Sequence, residues 1–215
     1  MKHIKIIKVL RIKIISFFLI ISINNASAVQ QSDKINPENF NVNIEKFLKL
    51  KSEGKPIIGR KWMVVTANQQ ASKVAAKILT RGGTAVDAMI SAQLALGLVE
   101  PESSGLGGGA FLVYFNNFTN QITTLDGRET APLNVYEKMF QDSNGKPIKF
   151  FDAVVGGKSV GTPGTPALLE KAHKKWGKIK WPILFEDVIK LAEKGFIVSN
   201  KLSSSIQKSK KSLNK

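Results

Sequence analysis

The order of apolar and polar residues predicts two successive helices in the middle of the chain. The first has five apolar residues on one face, the spacing of an amphipathic helix: Ala71, Val74, Ala75, Ile78 and Leu79. The second, Ala85 to Val99, is apolar nearly all round, so we expect it to be buried on most sides. Gly82-Gly83 ends the first helix. Thr84 caps the second, with Asp87 three residues on.

Shorter apolar runs predict strands. Trp62 to Thr66 is typical of a buried strand. Ala110 to Phe115 and Gln121 to Asp126 flank a polar turn, the pattern of a β-hairpin. Three more helices are predicted, at Ile44 to Leu50, Ala167 to Trp176 and Pro182 to Lys194. The order helix pair, hairpin, helix pair differs from the strand–helix alternation of a Rossmann sheet, so we predict an α+β fold.

The first 28 residues have the pattern of a signal peptide. A basic start precedes a short apolar run, Ile14 to Ile23, and then Ala26-Ser27-Ala28, which a signal peptidase accepts. The run is about half the roughly 20 residues that span a membrane; an uncleaved anchor is the alternative. We therefore expect a signal peptide (1–28), a polar lead-in (29–60), a folded part (61–215) and export to the periplasm or medium, without stable membrane insertion after cleavage.

Composition argues against nucleic-acid binding. The net charge of +16 falls to +11 when the five basic residues of the signal peptide are removed. The lysines are scattered and arginine is rare, whereas nucleic-acid readers favour arginine with interleaved aromatic residues. We interpret the tail from Lys208 to Lys215 as a solvated, frayed end, with contact to anionic lipid as the alternative. The absence of cysteine excludes disulfides and thiolate metal sites.

Two features that suggest catalytic or phosphate sites have simpler interpretations. The glycine-rich segment 105–109 lies between a predicted helix and a strand, whereas phosphate loops have the order strand, glycines, helix. We interpret it as a sharp turn between buried elements. His173, beside Lys174 and Lys175, is the only histidine after the signal peptide, and we expect it to be a solvated surface residue. No histidine is then available for a triad, and we predict no metal site and no cofactor.

The segment 126–132, Asp-Gly-Arg-Glu-Thr-Ala-Pro, follows the second hairpin strand. Arg128 is the only arginine after Arg81. A guanidinium grips a carboxylate through two parallel hydrogen bonds, so one interpretation is a carboxylate-binding site. The other is a structural ion pair from Arg128 to Glu129 or a neighbour. The residues alone leave both interpretations open.

Several motifs in this order resemble the first part of the large subunit of γ-glutamyltransferases. They are Gly82 to Ala88, Glu100-Pro101 with the run 104–109, the D-x-R-E-x-A-P stretch that ends at Pro132, Gly161 to Thr165, and Ala192 to Ser199. Together they extend the resemblance over residues 63–210. Pro166 departs from the family, which continues with an apolar residue and a glycine, so we expect an altered start of that helix.

The resemblance implies a fold and a site. The family adopts the N-terminal-nucleophile hydrolase fold, a four-layer αββα sandwich, of which this chain would be a truncated part. A threonine exposed by self-cleavage attacks the γ-glutamyl amide of compounds such as glutathione, and the glutamyl group passes to water, an amino acid or a peptide. By resemblance, Arg128 binds the α-carboxylate of the glutamyl group. Glu129 orients that arginine or contacts the substrate amine.

The family's nucleophile belongs to a Thr-Thr-His-x-Ser-Val segment far beyond the matching motifs. Thr123-Thr124 here is followed by Leu125 inside a strand, so we expect no catalytic residue in this chain, with the small catalytic subunit absent. The chain is then half of an enzyme completed by a separately encoded chain, an inactive remnant, or a module that binds glutamate through Arg128 alone. Without the remaining sheet, helix 86–99 and hairpin 110–126 are expected to expose apolar faces.

Overall fold

The computed structural model of the protein describes residues 44–213, and the side chains of residues 46–210. The predicted signal peptide and the first part of the polar lead-in lie outside the described residues. The described part forms helices and one antiparallel two-stranded sheet. The helices are α1 (Ile44–Ser52), α2 (Gln69–Thr80), α3 (Ala85–Val99), α4 (Pro101–Ser104), α5 (Phe150–Val154), α6 (Thr165–Trp176), α7 (Ile183–Lys194) and α8 (Asn200–Leu213), and the strands are β1 (Ala110–Asn116) and β2 (Gln121–Gly127).

The junction of α2 and α3 is built as the sequence predicts. Gly82 adopts a φ of +82°, and the N–H of Gly83 donates to the carbonyl of Ile78 at 3.0 Å, which closes α2. The N–H of Asp87 donates to Thr84 Oγ1 at 3.1 Å, and the N–H of Thr84 donates to Asp87 Oδ2 at 2.8 Å. This reciprocal capping box satisfies two backbone donors and starts α3 at Ala85.

Helix α3 is the centre of the core, and α2, α6 and α7 pack around it. The largest fully buried apolar side chains come from these four helices and include Ile78, Ile90, Leu169 and Leu184. Burial of one such side chain contributes about 1.5–3 kcal/mol. The prediction that α3 is buried on most sides is confirmed. The expectation that an apolar face of α3 lies uncovered holds only for a strip at Ala85, Met89 and Leu96, because three neighbouring helices cover the rest.

The β1–β2 hairpin has one packed face and one open face. Tyr114 on the inner face stacks on Trp176 of α6, with ring centroids 4.3 Å apart. On the outer face, Phe111, Val113 and Ile122 are 66%, 73% and 70% exposed. The expectation of an uncovered apolar face is therefore confirmed for the hairpin.

The strand predicted at Trp62 to Thr66 is wrong. Residues 62–66 form neither helix nor strand, and their exposure alternates, with Val64 packed against the core and Met63 and Val65 exposed. A strand requires a hydrogen-bonded neighbour, and Met63 to Val65 pair with none in the part of the chain that the structure describes. An apolar groove of about 470 Å³ separates this segment from α3.

Helix α8 corrects the interpretation of the basic tail as a frayed end, because residues 208–213 continue a helix that begins at Asn200. The sequence did not predict α8, because this segment has too few apolar residues to show a helical period. Leu202 is buried, and Lys201 Nζ lies 2.8 Å from Oε2 of the buried Glu100. Asn68, which also caps α2, donates to Glu100 Oε1 at 3.1 Å. Across residues 44–213, no helix is long and apolar enough to cross a membrane.

The attachment of α8 should weaken in acid. The hydrogen bonds from Lys201 and then Asn68 lower the pKa of Glu100 below its usual 4.5. A lowered folded-state pKa stabilises the protein above pH 4.5, and this contribution is lost as the pH falls through the lowered value. We expect Lys201→Met to lower the Tm at pH 7, and the loss to shrink as the pH drops below 4.5, measured by circular dichroism.

Lys208→Met provides the control for this measurement. Lys208 lies on the same helix, is exposed, and has no ion-pair partner within the described residues. Its substitution should change the Tm little at any pH. Equal effects of the two substitutions at every pH would show that the Glu100–Lys201 pair does not hold α8.

Candidate functional site

Arg128 and Glu129 lie where three segments meet: the glycine-rich loop 105–109, the segment 127–130 at the end of β2, and the loop 161–165 that leads into α6. The second and third segments are joined by a two-way backbone bridge. The N–H of Thr162 donates to the carbonyl of Thr130 at 2.8 Å, and the reverse bond measures 3.3 Å. The predicted site residues therefore lie on a braced segment directly before this bridge.

The glycine-rich loop 105–109 and the loop 161–165 are joined at one carbonyl group. The carbonyl oxygen of Gly108 accepts hydrogen bonds from the N–H of Gly164, the N–H of Thr165 and the hydroxyl of Thr165, all at 3.1 Å. Thr165 is the first residue of α6 and is buried. Helix α6 starts one residue before Pro166, which occupies the first turn, where proline is tolerated.

Gly109 and Gly164 let the loops approach more closely than any side chain permits. A Cβ on Gly109 would lie 2.5 Å from the backbone nitrogen of Glu129 and 2.8 Å from the Cα of Arg128. A Cβ on Gly164 would overlap the carbonyl oxygen of Gly127 and lie 2.8 Å from that of Arg128. Real Cβ atoms essentially never come within 3.0 Å of such atoms. Glycine at both positions therefore holds the backbone of Arg128 between two loops.

Arg128 presents its guanidinium to solvent. Its N–H donates to Asp126 Oδ1 at 2.8 Å, which turns the backbone out of the strand. Its side chain is 67% exposed, and Nε lies 3.6 Å from Glu129 Oε2. Nη1 and Nη2 have no partner among the described side chains and backbone. The structure thus contains the ion pair that the sequence left open and also leaves the outer end of the guanidinium available.

A polar cavity of about 550 Å³ lies beside Glu129, between the glycine-rich loop and α4. Its volume is in the range of small-molecule sites. Gln93 of α3 also lines it and donates through Nε2 to the carbonyl of Ser104 at 2.8 Å, which fixes α4 against α3. Sequence reasoning missed both Gln93 and α4 as parts of the wall. The signals for them were the polar Gln93 within an otherwise apolar helix and the Ser103-Ser104 pair directly before the glycines.

His173 is not the solvated surface residue that the sequence predicts. Its side chain is 20% exposed, and Nε2 lies 2.7 Å from the carbonyl oxygen of Ile179 and 3.8 Å from Oδ1 of the fully buried Asp87. Its ring meets that of Trp181 at an angle of 60°. These contacts tie the start of α3 to the loop after α6, a tertiary arrangement that local pattern does not reveal. Within residues 46–210, no group of three or more His, Asp or Glu side chains is arranged to hold a metal ion.

The sequence profile of one family, described as Gamma-glutamyltranspeptidase, matches residues 71–215. Among curated relatives, the glutathione hydrolase proenzyme of Bacillus subtilis subsp. natto is 43% identical over 149 residues, which are 69% of this chain and 25% of the relative. Glutathione hydrolase 3 of Arabidopsis thaliana is 38% identical over 145 residues, 67% of this chain and 22% of the relative. The chain therefore spans about a quarter of the length of these relatives.

Solved structures show the same likeness. The gamma-glutamyltranspeptidase of Helicobacter pylori superposes with a TM-score of 0.68 at 32% identity, over 73% of this chain and 44% of that one. The enzyme of Pseudomonas nitroreducens, solved in complex with L-DON, gives 0.66 at 34% identity, over 71% and 44%. The mixed arrangement of helices and hairpin is thus a part of the fold of these proteins.

Proposed function

Because the chain belongs to the gamma-glutamyltranspeptidase family, we propose that it forms the part of a γ-glutamyl-binding site that holds the substrate's α-carboxylate. Arg128 is the residue that binds this carboxylate. The observation that carries the proposal is the exposed guanidinium of Arg128, with Nη1 and Nη2 available, on a backbone fixed between two loops. Glutathione and similar γ-glutamyl compounds are the proposed ligands.

The geometry suits an anionic ligand. Two parallel N–H···O bonds from one guanidinium recognise a carboxylate, and hydrogen bonds to charged groups contribute about 1.5–3 kcal/mol each. Oε2 of Glu129 lies 3.6 Å from Nε, so the role proposed for Glu129 is to orient the guanidinium. Its carboxylate also lines the cavity, where a substrate amine would be attracted to it.

The reaction proposed for the whole protein is acyl transfer. A threonine hydroxyl attacks the γ-carbonyl carbon, the amine leaves with a proton, and water or an amino acid then takes the glutamyl group from the threonine. No Thr-Thr-His-x-Ser-Val segment occurs in the 215 residues. We propose that residues 1–215 by themselves do not turn over γ-glutamyl substrates, and that the open face of the hairpin is where the rest of an αββα sandwich would pack.

Localisation is part of the same proposal. The basic and apolar pattern of residues 1–28 supports export with removal of that segment. The folded part would then act in the periplasm or outside the cell, where a chain without cysteine needs no reducing environment.

A chimera tests the role of Arg128. The matched region of this chain replaces the corresponding region of the Bacillus subtilis relative, and hydrolysis of a γ-glutamyl anilide is followed. We expect turnover by the chimera and none by the 215-residue chain alone. In the chimera, Arg128→Ala should lower kcat/KM by about 100-fold, mainly through KM, because two charge-assisted hydrogen bonds are lost.

Two further variants control this experiment. Arg128→Lys keeps the charge without the paired geometry and should recover only part of the loss. Arg81→Lys changes an arginine that pairs with Glu186 and Asp187 on α7, and should leave KM unchanged. Unaltered kinetics in Arg128→Ala, or turnover by the chain alone that this substitution abolishes, would overturn the proposal.

A further inference from the structure

The residues that hold Arg128 in place form a distinct unit, which we call the clamp: Gly108 and Gly109 on one side and Gly164 and Thr165 on the other. The segment 127–129 passes between the two sides. The sides are joined through the carbonyl oxygen of Gly108, which accepts three hydrogen bonds from Gly164 and Thr165. The closest approaches of the segment to the clamp are at Gly109 and Gly164.

We propose that Thr165 and Gly109 are positioning residues for Arg128. This inference rests on the proposed function, because it concerns the orientation of the guanidinium that binds the carboxylate. Thr165 is not part of the cavity lining, and Gly109 lines the cavity but has no side chain with which to hold a ligand. Both act through the backbone of Arg128 and Glu129.

Thr165 acts through its hydroxyl. The side chain is 1% exposed, and Oγ1 lies 3.1 Å from the carbonyl oxygen of Gly108. The start of α6 would remain attached to the glycine-rich loop by backbone bonds without this hydroxyl, but with one bond fewer. The carbonyl of the half-buried Gly108 is then held by two donors instead of three, so its position is less tightly fixed. Movement of Gly108 carries Gly109 with it and releases one side of the segment that bears Arg128.

Gly109 acts through the absence of a side chain. A Cβ there would meet the Glu129 carboxylate and backbone nitrogen as well as the Cα of Arg128. Gly107, two residues earlier in the same loop, would place a Cβ in open space. Comparing Gly109→Ala with Gly107→Ala therefore separates the effect of close packing against Arg128 from the general effect of an alanine in the loop.

The composition of the chain offers a direct readout of the Arg128 side chain. The chain contains four arginines, Arg11, Arg60, Arg81 and Arg128, so a nitrogen–proton NMR spectrum of the labelled full chain has few Nε–Hε signals, and Arg128→Lys assigns one of them. That signal reports the surroundings of the guanidinium beside Glu129 without any ligand. Titration with γ-glutamyl-glycine then reports binding.

Matched pairs of variants test the proposal. Thr165→Val and Gly109→Ala should move the Arg128 signal while that of Arg81 stays in place, and should weaken γ-glutamyl-glycine binding by roughly three- to tenfold. Thr165→Ser retains the hydroxyl and should restore both signal and affinity. Gly107→Ala should leave the Arg128 signal in place. Because Gly107 lines the cavity, the control for affinity is Gly157→Ala, which lies outside the cavity lining and should change neither signal nor affinity. Thr80→Val removes a comparable hydroxyl bond, from Thr80 Oγ1 to the carbonyl of Ala76 in α2, and should leave the Arg128 signal unchanged.

The outcomes separate this inference from the proposed function. A lowered Tm in Thr165→Val with an unmoved Arg128 signal in both Thr165→Val and Gly109→Ala would overturn the positioning role. If Thr165→Val fails to fold, the positioning role is tested by comparing the Arg128 signal of Gly109→Ala with that of Gly107→Ala. If the variants move the Arg128 signal but γ-glutamyl-glycine leaves it unchanged in the wild-type chain, the clamp positions Arg128 and the proposed ligand is wrong.

Discussion

Asp87→Ala should destabilise the protein by about 3 kcal/mol, because three part-buried backbone donors lose their acceptor and each loss costs about 1 kcal/mol, the lower end of the range for an unsatisfied donor. The carboxylate of Asp87 is fully buried and accepts from the backbone N–H groups of Thr84, Lys178 and Ile179, at 2.8, 3.0 and 3.2 Å. One side chain thus completes the cap of α3 and fixes the loop between α6 and α7. The measurement is urea unfolding followed by circular dichroism.

Thr84→Ala is the control for the loss of stability in Asp87→Ala. It removes the hydroxyl that caps α3 but leaves the carboxylate of Asp87 and its loop contacts, so it should cost about 1 kcal/mol. Asp87→Asn keeps the shape but replaces one accepting oxygen with a donor, and its cost should fall between the two. A loss in Asp87→Ala no larger than in Thr84→Ala would mean that the contacts to residues 178 and 179 add nothing.

Gly164→Ala should cost about 3 kcal/mol, the upper part of the usual range for overpacking. The added methyl would overlap the carbonyl oxygen of Gly127 and lie 2.6 Å from its carbonyl carbon. These are backbone atoms at the end of β2, so no side-chain rotation relieves the contact. Either the hairpin or the start of α6 has to move, and both belong to the core. Thermal and urea unfolding would measure the loss.

Gly157→Ala is the matched control. Gly157 lies in the 3₁₀ turn Gly157–Ser159, and a Cβ there would meet nothing within 4 Å. Its effect on the free energy of unfolding should stay within about 0.5 kcal/mol. A Gly164→Ala protein as stable as Gly157→Ala would show that the close approach of the two loops is not required for folding.

The sequence by itself determined the elements whose signals are local. The period of apolar residues placed α2, and a nearly continuous apolar run placed α3. The residues between them, Gly82 to Asp87, specified both helix ends through hydrogen bonds between residues at most five positions apart. The hairpin followed from two short strand-like runs on either side of a polar turn. The family followed from motifs that keep their order along the chain, and the matching of residues 71–215 confirms it. Arg128 was singled out because arginine is rare in a lysine-rich chain.

Only the tertiary structure decided the features that depend on residues far apart in sequence. His173 looked solvated beside two lysines, yet Asp87, 86 residues earlier, and Trp181 enclose it. Residues 63–65 look like a strand, but pairing requires a neighbour that the described chain does not provide. The surroundings of Arg128 likewise come from loops at 105–109 and 161–165. Local pattern records which face of an element is apolar, whereas the partner of that face is set by packing between distant segments.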